Sequence, residues 1–262
     1  MAFKRMCDAF GAGAPSAATS LVVSRTQPGG TLSGEIRLKG GEVDAEIDHI
    51  GLCLVAPLWP ARGVGDPGGG EEFSRTRISG PVPLCQGDER AIQFQVAVPW
   101  ETPISEIGGR HLTGMALGVR TEVATATAVD KGDLHQVAVR PVPSQLLVLR
   151  AFARLGFPFK CAVLHAGRLN GGHQELPFHQ KIEFYPSSRH TGAVHEVGLA
   201  FVSSSSGLEV TLEVGRPGGR RFPDERFEMS HEEALHTDWP SVIDRWLAGL
   251  LHHGGRGERD RG

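Results

Sequence analysis

The stretch LEVTLEV, Leu208 to Val214, places an apolar side chain at every second position: Leu208, Val210, Leu212 and Val214 alternate with Glu209, Thr211 and Glu213. Successive side chains of a strand point to opposite faces, so this period of two predicts one face in a core and the other toward water. The pattern recurs in both directions along the chain. Ile92, Phe94, Val96 and Val98 alternate with Gln93, Gln95 and Ala97, and Leu32, Ile36 and Leu38 alternate with Ser33, Glu35 and Arg37. Ile50, Leu52 and Leu54 repeat it, as do Leu117, Val119, Thr121 and Val123, then Val137 and Val139. Further on, Ile182 and Phe184, and then Val197, Leu199 and Phe201, mark strands of a second set.

Turns separate these runs at Pro28-Gly29-Gly30, Gly40-Gly41 and Ser203 to Gly207. The Gly-rich polar segment from Pro60 to Glu72 predicts an exposed, mobile loop. The chain holds 35 Gly and 17 Pro, a composition of many turns and short strands. Strands at this spacing predict all-β sandwiches. At 262 residues the chain is long enough for two domains.

The predicted organisation is an N-terminal sandwich over residues 1–143, a linking helix over 144–156, a C-terminal sandwich over 157–235 and a helix over 236–253. A short helix over 3–10 would put Phe3, Met6, Cys7 and Phe10 on one face, and a polar tail over 254–262 is expected to be disordered. Pro141 and Pro143 stop the last strand of the first set and serve as a stiff linker rather than a polyproline ligand. Ser144 is expected to cap the linking helix. Its Leu146, Leu147, Val148, Leu149, Phe152 and Leu155 leave little polar surface, so it should be buried, most simply between the domains. Trp239, Val242, Ile243, Trp246, Leu247, Leu250 and Leu251 make the C-terminal helix amphipathic, with Asp238 and Pro240 at its start.

The order of several stretches resembles bacterial sporulation-control proteins, which are built like arrestins from two immunoglobulin-like β-sandwich domains. Pro28-Gly29-Gly30, Leu32, Gly34, Ile36, Leu38, Gly40-Gly41, Val43-Asp44 and Ile47 carry the first part of the likeness. Thr102 to Ser105, Ala128 to Asp130 with Gly132-Asp133, and Val139 to Pro141 carry the next. Leu155 to Phe157, Leu176 to Phe178, Glu183-Phe184 and Pro186 complete it, so that it spans about residues 3–215. The resemblance implies a cytoplasmic regulator of sporulation or development that acts as a scaffold, without catalytic residues.

Charge and motifs agree with a binding role. A net charge of −3 and a pI near 6.5 provide no basic field for nucleic acid. No apolar run of about 18 residues exists to form a transmembrane helix, and Asp8 with Gly11 and Gly13 spoils a signal peptide. Cys7, Cys53, Cys85 and Cys161 form no CxxC pair and read as reduced thiols. No G-x-S-x-G elbow occurs, and Gly68-Gly69-Gly70 leads into Glu71 and Glu72, which repel phosphate. Catalytic, cofactor and metal residues are therefore not assigned. The alternative reading is a metal-binding module of the C-terminal domain, in which His165, His173, His179, His190 and His195 converge from neighbouring strands. Candidate partner-binding residues are the basic hairpin Arg216, Arg220 and Arg221, which suits an acidic partner, and the helix anchors Trp239 and Trp246. Protein partners, including a second copy, would engage edge strands or the C-terminal helix.

Overall fold

The computed structural model describes residues 4–5, 14–56, 70–126, 128–169, 173–215 and 224–254. The chain divides into two compact units, one of Met1–Glu106 with Met115–Arg140, the other of Ile107–Gly114 with Pro141–Gly262.

The first unit holds two four-stranded antiparallel sheets. One runs in the order β1 (Lys4–Arg5), β2 (Ser16–Val23), β4 (Thr31–Lys39), β9 (Glu89–Ala97). The other runs β13 (Val129–Gln136), β12 (Gly118–Ala124), β6 (His49–Ala56), β7 (Glu71–Ser79). Short ribbons pair β3 (Arg25–Thr26) with β14 (Ala138–Val139) and β5 (Ala45–Ile47) with β8 (Val82–Leu84), and β10 (Glu106–Ile107) with β11 (Arg110–His111). Leu32, Ile36, Leu38, Phe94 and Val96 from one sheet are buried, as are Ile50, Leu52, Leu54, Val119 and Val123 from the other. These are the apolar members of the alternating runs. The hydroxyls of Thr19 on β2 and Thr121 on β12 hydrogen-bond at 2.6 Å, tying the two sheets directly.

The second unit is built on one five-stranded antiparallel sheet, β15 (Phe159–Ala166), β16 (Phe178–Phe184), β17 (Glu196–Ser203), β18 (Gly207–Gly215) and β19 (Glu225–Ser230). Its helices are α1 (Pro143–Arg154), α2 (His231–His236) and α3 (Trp239–Gly254). The apolar face carries Ile182, Phe184, Val197, Leu199, Leu208, Val210, Leu212 and Val214, all buried. Phe152 of α1 stacks on Phe184 with ring centroids 4.5 Å apart, and Trp239 of α3 meets Phe227 edge to face. Among the described residues, the layer on this sheet is thus helical.

The all-β class and the C-terminal helix are as expected, with several local differences. Lys4 and Arg5 pair as a strand with Ala17 and Ser16 instead of lying in a helix, and the rest of the expected helix over 3–10 falls outside the described residues. So short a helix gains few hydrogen bonds for its nucleation cost, whereas the edge of β2 offers ready backbone partners. The linking helix begins at Pro143, not Ser144: proline's missing N–H costs nothing at the first position, and Gln145 Oε1 accepts from Val142 N–H at 3.0 Å. The Ser144 hydroxyl instead meets His231 Nδ1 at 2.8 Å. Residues 231–235, expected inside the C-terminal sandwich, form α2 together with His236, because Ser230 and Glu233 make a reciprocal capping box. Glu71 and Glu72 belong to β7, while residues 60–69 of the expected loop and 255–262 of the expected tail lie outside the described residues.

Candidate functional site

An edge strand presents unpaired backbone groups to any chain that comes alongside, and most edges in this protein are blunted. β7 is interrupted by bulges, one at Ser74 with φ 51°, and carries Arg75 and Arg77. β13 is bulged against β12. On β15, the Ala162 N–H donates to Thr113 O at 3.0 Å. Gly114 allows that approach: it has φ 93°, and a side chain there would collide with the Ala162 carbonyl. β19 carries Glu225, Arg226 and Glu228 and runs straight into α2.

β9 has no bulge and carries charges only at its first two residues, Glu89 and Arg90. Its nine residues pair with β4 without a register break, from Thr31 opposite Ala97 to Lys39 opposite Glu89. Ile92, Phe94 and Val96 face the core side, while Ala91, Gln93, Gln95 and Ala97 are exposed and uncharged. Among the described residues its far edge meets no other strand. The sequence marked β9 as a strand through its alternation but held no sign that it would lie outermost.

The polar face of the second sheet carries a charge ladder. Lys181, 5% exposed, reaches Glu213 at 2.9 Å, Glu183 at 3.7 Å and Glu196 at 3.9 Å. Lys160 spans Glu183 at 2.9 Å and Glu196 at 2.8 Å, so its ammonium is held above the usual lysine range, chiefly by hydrogen bonds to Glu196 and Glu183. Gly198 leaves the channel through which the Lys181 stem crosses β17, since a Cβ there would strike Lys181 Cε. Arg226 binds Glu209 at 2.7 Å.

The outer face of the second sheet of unit one holds a similar cluster. Glu72 accepts from Arg75 at 3.0 Å, Arg120 at 3.1 Å and Lys131 at 2.6 Å, and Glu122 accepts from Arg75 at 3.0 Å. The Cys53 thiol beside them is pushed up to about 11, first by burial and then by the Glu72 and Glu122 charges. Burial raises the Glu72 and Glu183 carboxyls, but Lys131 on one and Lys160 on the other outweigh it and hold both below the ordinary value of 4.5. An unfolded carboxylate then takes up its proton before the folded one. The stability that these groups contribute is whole above pH 4.5 and is lost as pH falls through their folded values. Thermal melts between pH 3 and pH 7 should show a falling acid limb that is shallower in a Glu72→Gln/Glu183→Gln protein. An identical limb in that protein would refute the assignment.

The histidines do not converge. His165 and His179 stack as a cross-strand pair with centroids 5.7 Å apart; burial, then His179, lowers the His165 value. His190 bonds Ser187 at 2.7 Å, and the His195 N–H donates to Gly215 O. Among the described residues, only His173 of these five meets carboxylates in a metal-like group, with Glu209 and Glu228. The guanidinium of Arg226 already neutralises Glu209 there. Cys53, Glu72 and Glu122 form a second such group, but arginine and lysine occupy its carboxylates and its thiol holds its proton. Two Ser–His pairs, Ser144 with His231 and Ser187 with His190, have serines only 1% and 2% exposed, and His231 Nε2 is bound to Ser204 O at 2.9 Å. These are structural bonds, closed to a substrate.

Of the partner-binding candidates, Arg216, Arg220 and Arg221 lie outside the described residues. Trp239 is 1% exposed and donates its Nε1–H to Ala234 O at 2.9 Å, so it is spent inside its own unit rather than offered to a partner. Trp246 is 9% exposed, and its Nε1 meets no acceptor among the described residues. An apolar helix face docks on its own sheet before it waits for a partner, because burial there costs no translational entropy. Among the described residues no helix is long and apolar enough to cross a membrane.

Antiparallel sheets make up most of both units and place the chain among mostly-β proteins. The chain belongs to the SpoOM protein family, whose match spans residues 3–218. The sporulation-control protein spo0M of Bacillus subtilis is 26% identical over 215 residues, covering 82% of this chain and 80% of that protein. The crystal structure of Spo0M from Bacillus subtilis superimposes with a TM-score of 0.75 at 23% identity, covering 91% of this chain and 99% of the other. The family is the one that the order of its motifs predicted.

Proposed function

We propose that this protein is a non-catalytic, cytoplasmic scaffold that regulates sporulation or development by binding protein partners, and that the open edge of β9 is its contact strand. Family membership and the likeness to a sporulation-control protein of Bacillus subtilis support the process. The nine-residue edge, unbroken in register and uncharged beyond Arg90, supports the mechanism. A partner strand added there gains main-chain hydrogen bonds, while the exposed row of Ala91, Gln93, Gln95 and Ala97 selects its side chains.

Gln93→Pro tests this reading. Its N–H points away from β4, so proline removes a donor from the edge and leaves the β4 ladder intact. In a host deleted for this gene, the variant should fold, with a Tm near that of the parent, and yet fail to restore normal sporulation. Full restoration by the folded variant would overturn the role of the edge.

A metal-binding role is the lesser reading. His173, Glu209 and Glu228 support it and Arg226 opposes it. Equilibrium dialysis of untagged protein that finds no zinc uptake would remove it.

A further inference from the structure

We propose that the occupant of the β9 edge is a second copy of this chain, paired antiparallel about a twofold axis through Gln93. The proposal rests on the edge reading above and names its partner. The ladder with β4 determines which groups point outward. Val98 N–H donates to Gly30 O at 2.9 Å, just beyond the pair Thr31 and Ala97. Antiparallel alternation therefore sends the N–H and C=O of Arg90, Ile92, Phe94 and Val96 toward β4, and those of Glu89, Ala91, Gln93, Gln95 and Ala97 outward.

A twofold axis at Gln93 sets Gln93 opposite Gln93 of the second copy, Ala91 opposite its Gln95 and Glu89 opposite its Ala97. Every outward backbone group from Glu89 to Ala97 then gains a partner, and each of these pairs is of the doubly hydrogen-bonded kind. A shift of two residues in either direction strands the outward groups at one end of each strand.

The side chains agree with the same axis. Glu89 and Arg90 come opposite Ala97 and Val96, so no like charges face each other. On the core side, Ile92 comes beside Phe94 of the second copy, and Phe94 beside its Ile92, which continues the apolar row of each sheet across the junction. An arbitrary foreign strand would have no reason to match both rows, whereas a single twofold axis satisfies them together. Such an isologous contact also closes at two chains, and so removes an edge that would otherwise invite open-ended association. Two four-stranded sheets would merge into one continuous sheet.

Paired charge substitutions on the exposed row test the partner and the register. The full chain is examined by sedimentation velocity over a range of micromolar concentrations. The wild type is expected to sediment as a dimer. Ala91→Lys/Gln95→Lys puts lysine opposite lysine on both sides of the axis, and the dimer should be lost. Ala91→Lys/Gln95→Glu puts lysine opposite glutamate, and the dimer should return; no register shifted by two residues predicts that rescue. All four substituted side chains lie on the exposed row, so the Tm of each variant should stay near that of the parent. A wild type that is monomeric throughout, or a Lys/Glu variant that remains monomeric, overturns the proposal. If the wild type is monomeric but Gln93→Pro still abolishes function in the host, the edge reading survives with a different strand as its partner.

Discussion

Phe152→Ala is expected to destabilise the second unit by about 3–5 kcal/mol, the range for emptying a fully buried phenylalanine site. Phe152 is 0% exposed. Its ring lies 4.5 Å from Phe184 in a stack tilted by 12°, and 5.6 Å from Phe157 edge to face. The site joins α1 to the sheet; Phe184 is fixed in the ladder between β15 and β17, and the Phe157 N–H donates to Phe152 O at 3.0 Å, so little can move in to fill the gap. Aromatic pairing adds to the loss of buried area. The Tm of the second unit should fall by roughly 10 °C or more. Calorimetry or urea denaturation would measure it, and a loss under about 1 kcal/mol would mean that the ring does not anchor the helix.

Lys181→Ala should cost about 3–5 kcal/mol through a different mechanism. The ammonium is among the least exposed charges in the protein, and Glu183, Glu196 and Glu213 all turn toward it. Removing it takes the 2.9 Å ion pair from Glu213 and weakens the screening of the carboxylates on β16, β17 and β18, with Lys160 still bound to Glu183 and Glu196. Lys39→Ala is the control: its pair with Glu89, at 3.8 Å, has both side chains more than half exposed, and such pairs contribute about 0–1 kcal/mol. Urea denaturation of both variants separates the two cases. If Lys181→Ala costs no more than Lys39→Ala, the ladder is a surface decoration and not part of the core.

Much of the fold was legible because burial on one face imposes a period of two. Ile36, Phe94, Leu199 and Leu212 stand where alternation put them. The same rule failed on the other face of β18. Glu209 and Thr211, expected to face water, are only 7% and 8% exposed. Arg226, Lys181 and the neighbouring carboxylates lie over that face, and such long side chains shield it without making it apolar. Nothing in the spacing of Lys181 and Glu213 announces their bond, because it depends on which strands become neighbours. The histidines show the converse. They cluster along the chain from His165 to His195, yet β15, β16 and their loops send them to separate places.

The amino-acid sequence by itself determined the strands, the turns between them, the linking and C-terminal helices and the family, since each is written in local periodicity and in the order of short motifs. Only the tertiary structure decided which strand lies outermost, which charges pair, and which aromatic side chains are spent in the core. Those outcomes depend on register and sheet order, which bring residues far apart in the chain within a few ångströms of each other. The backbone groups that β9 leaves unpaired are identical in every residue, so no side-chain pattern can announce them.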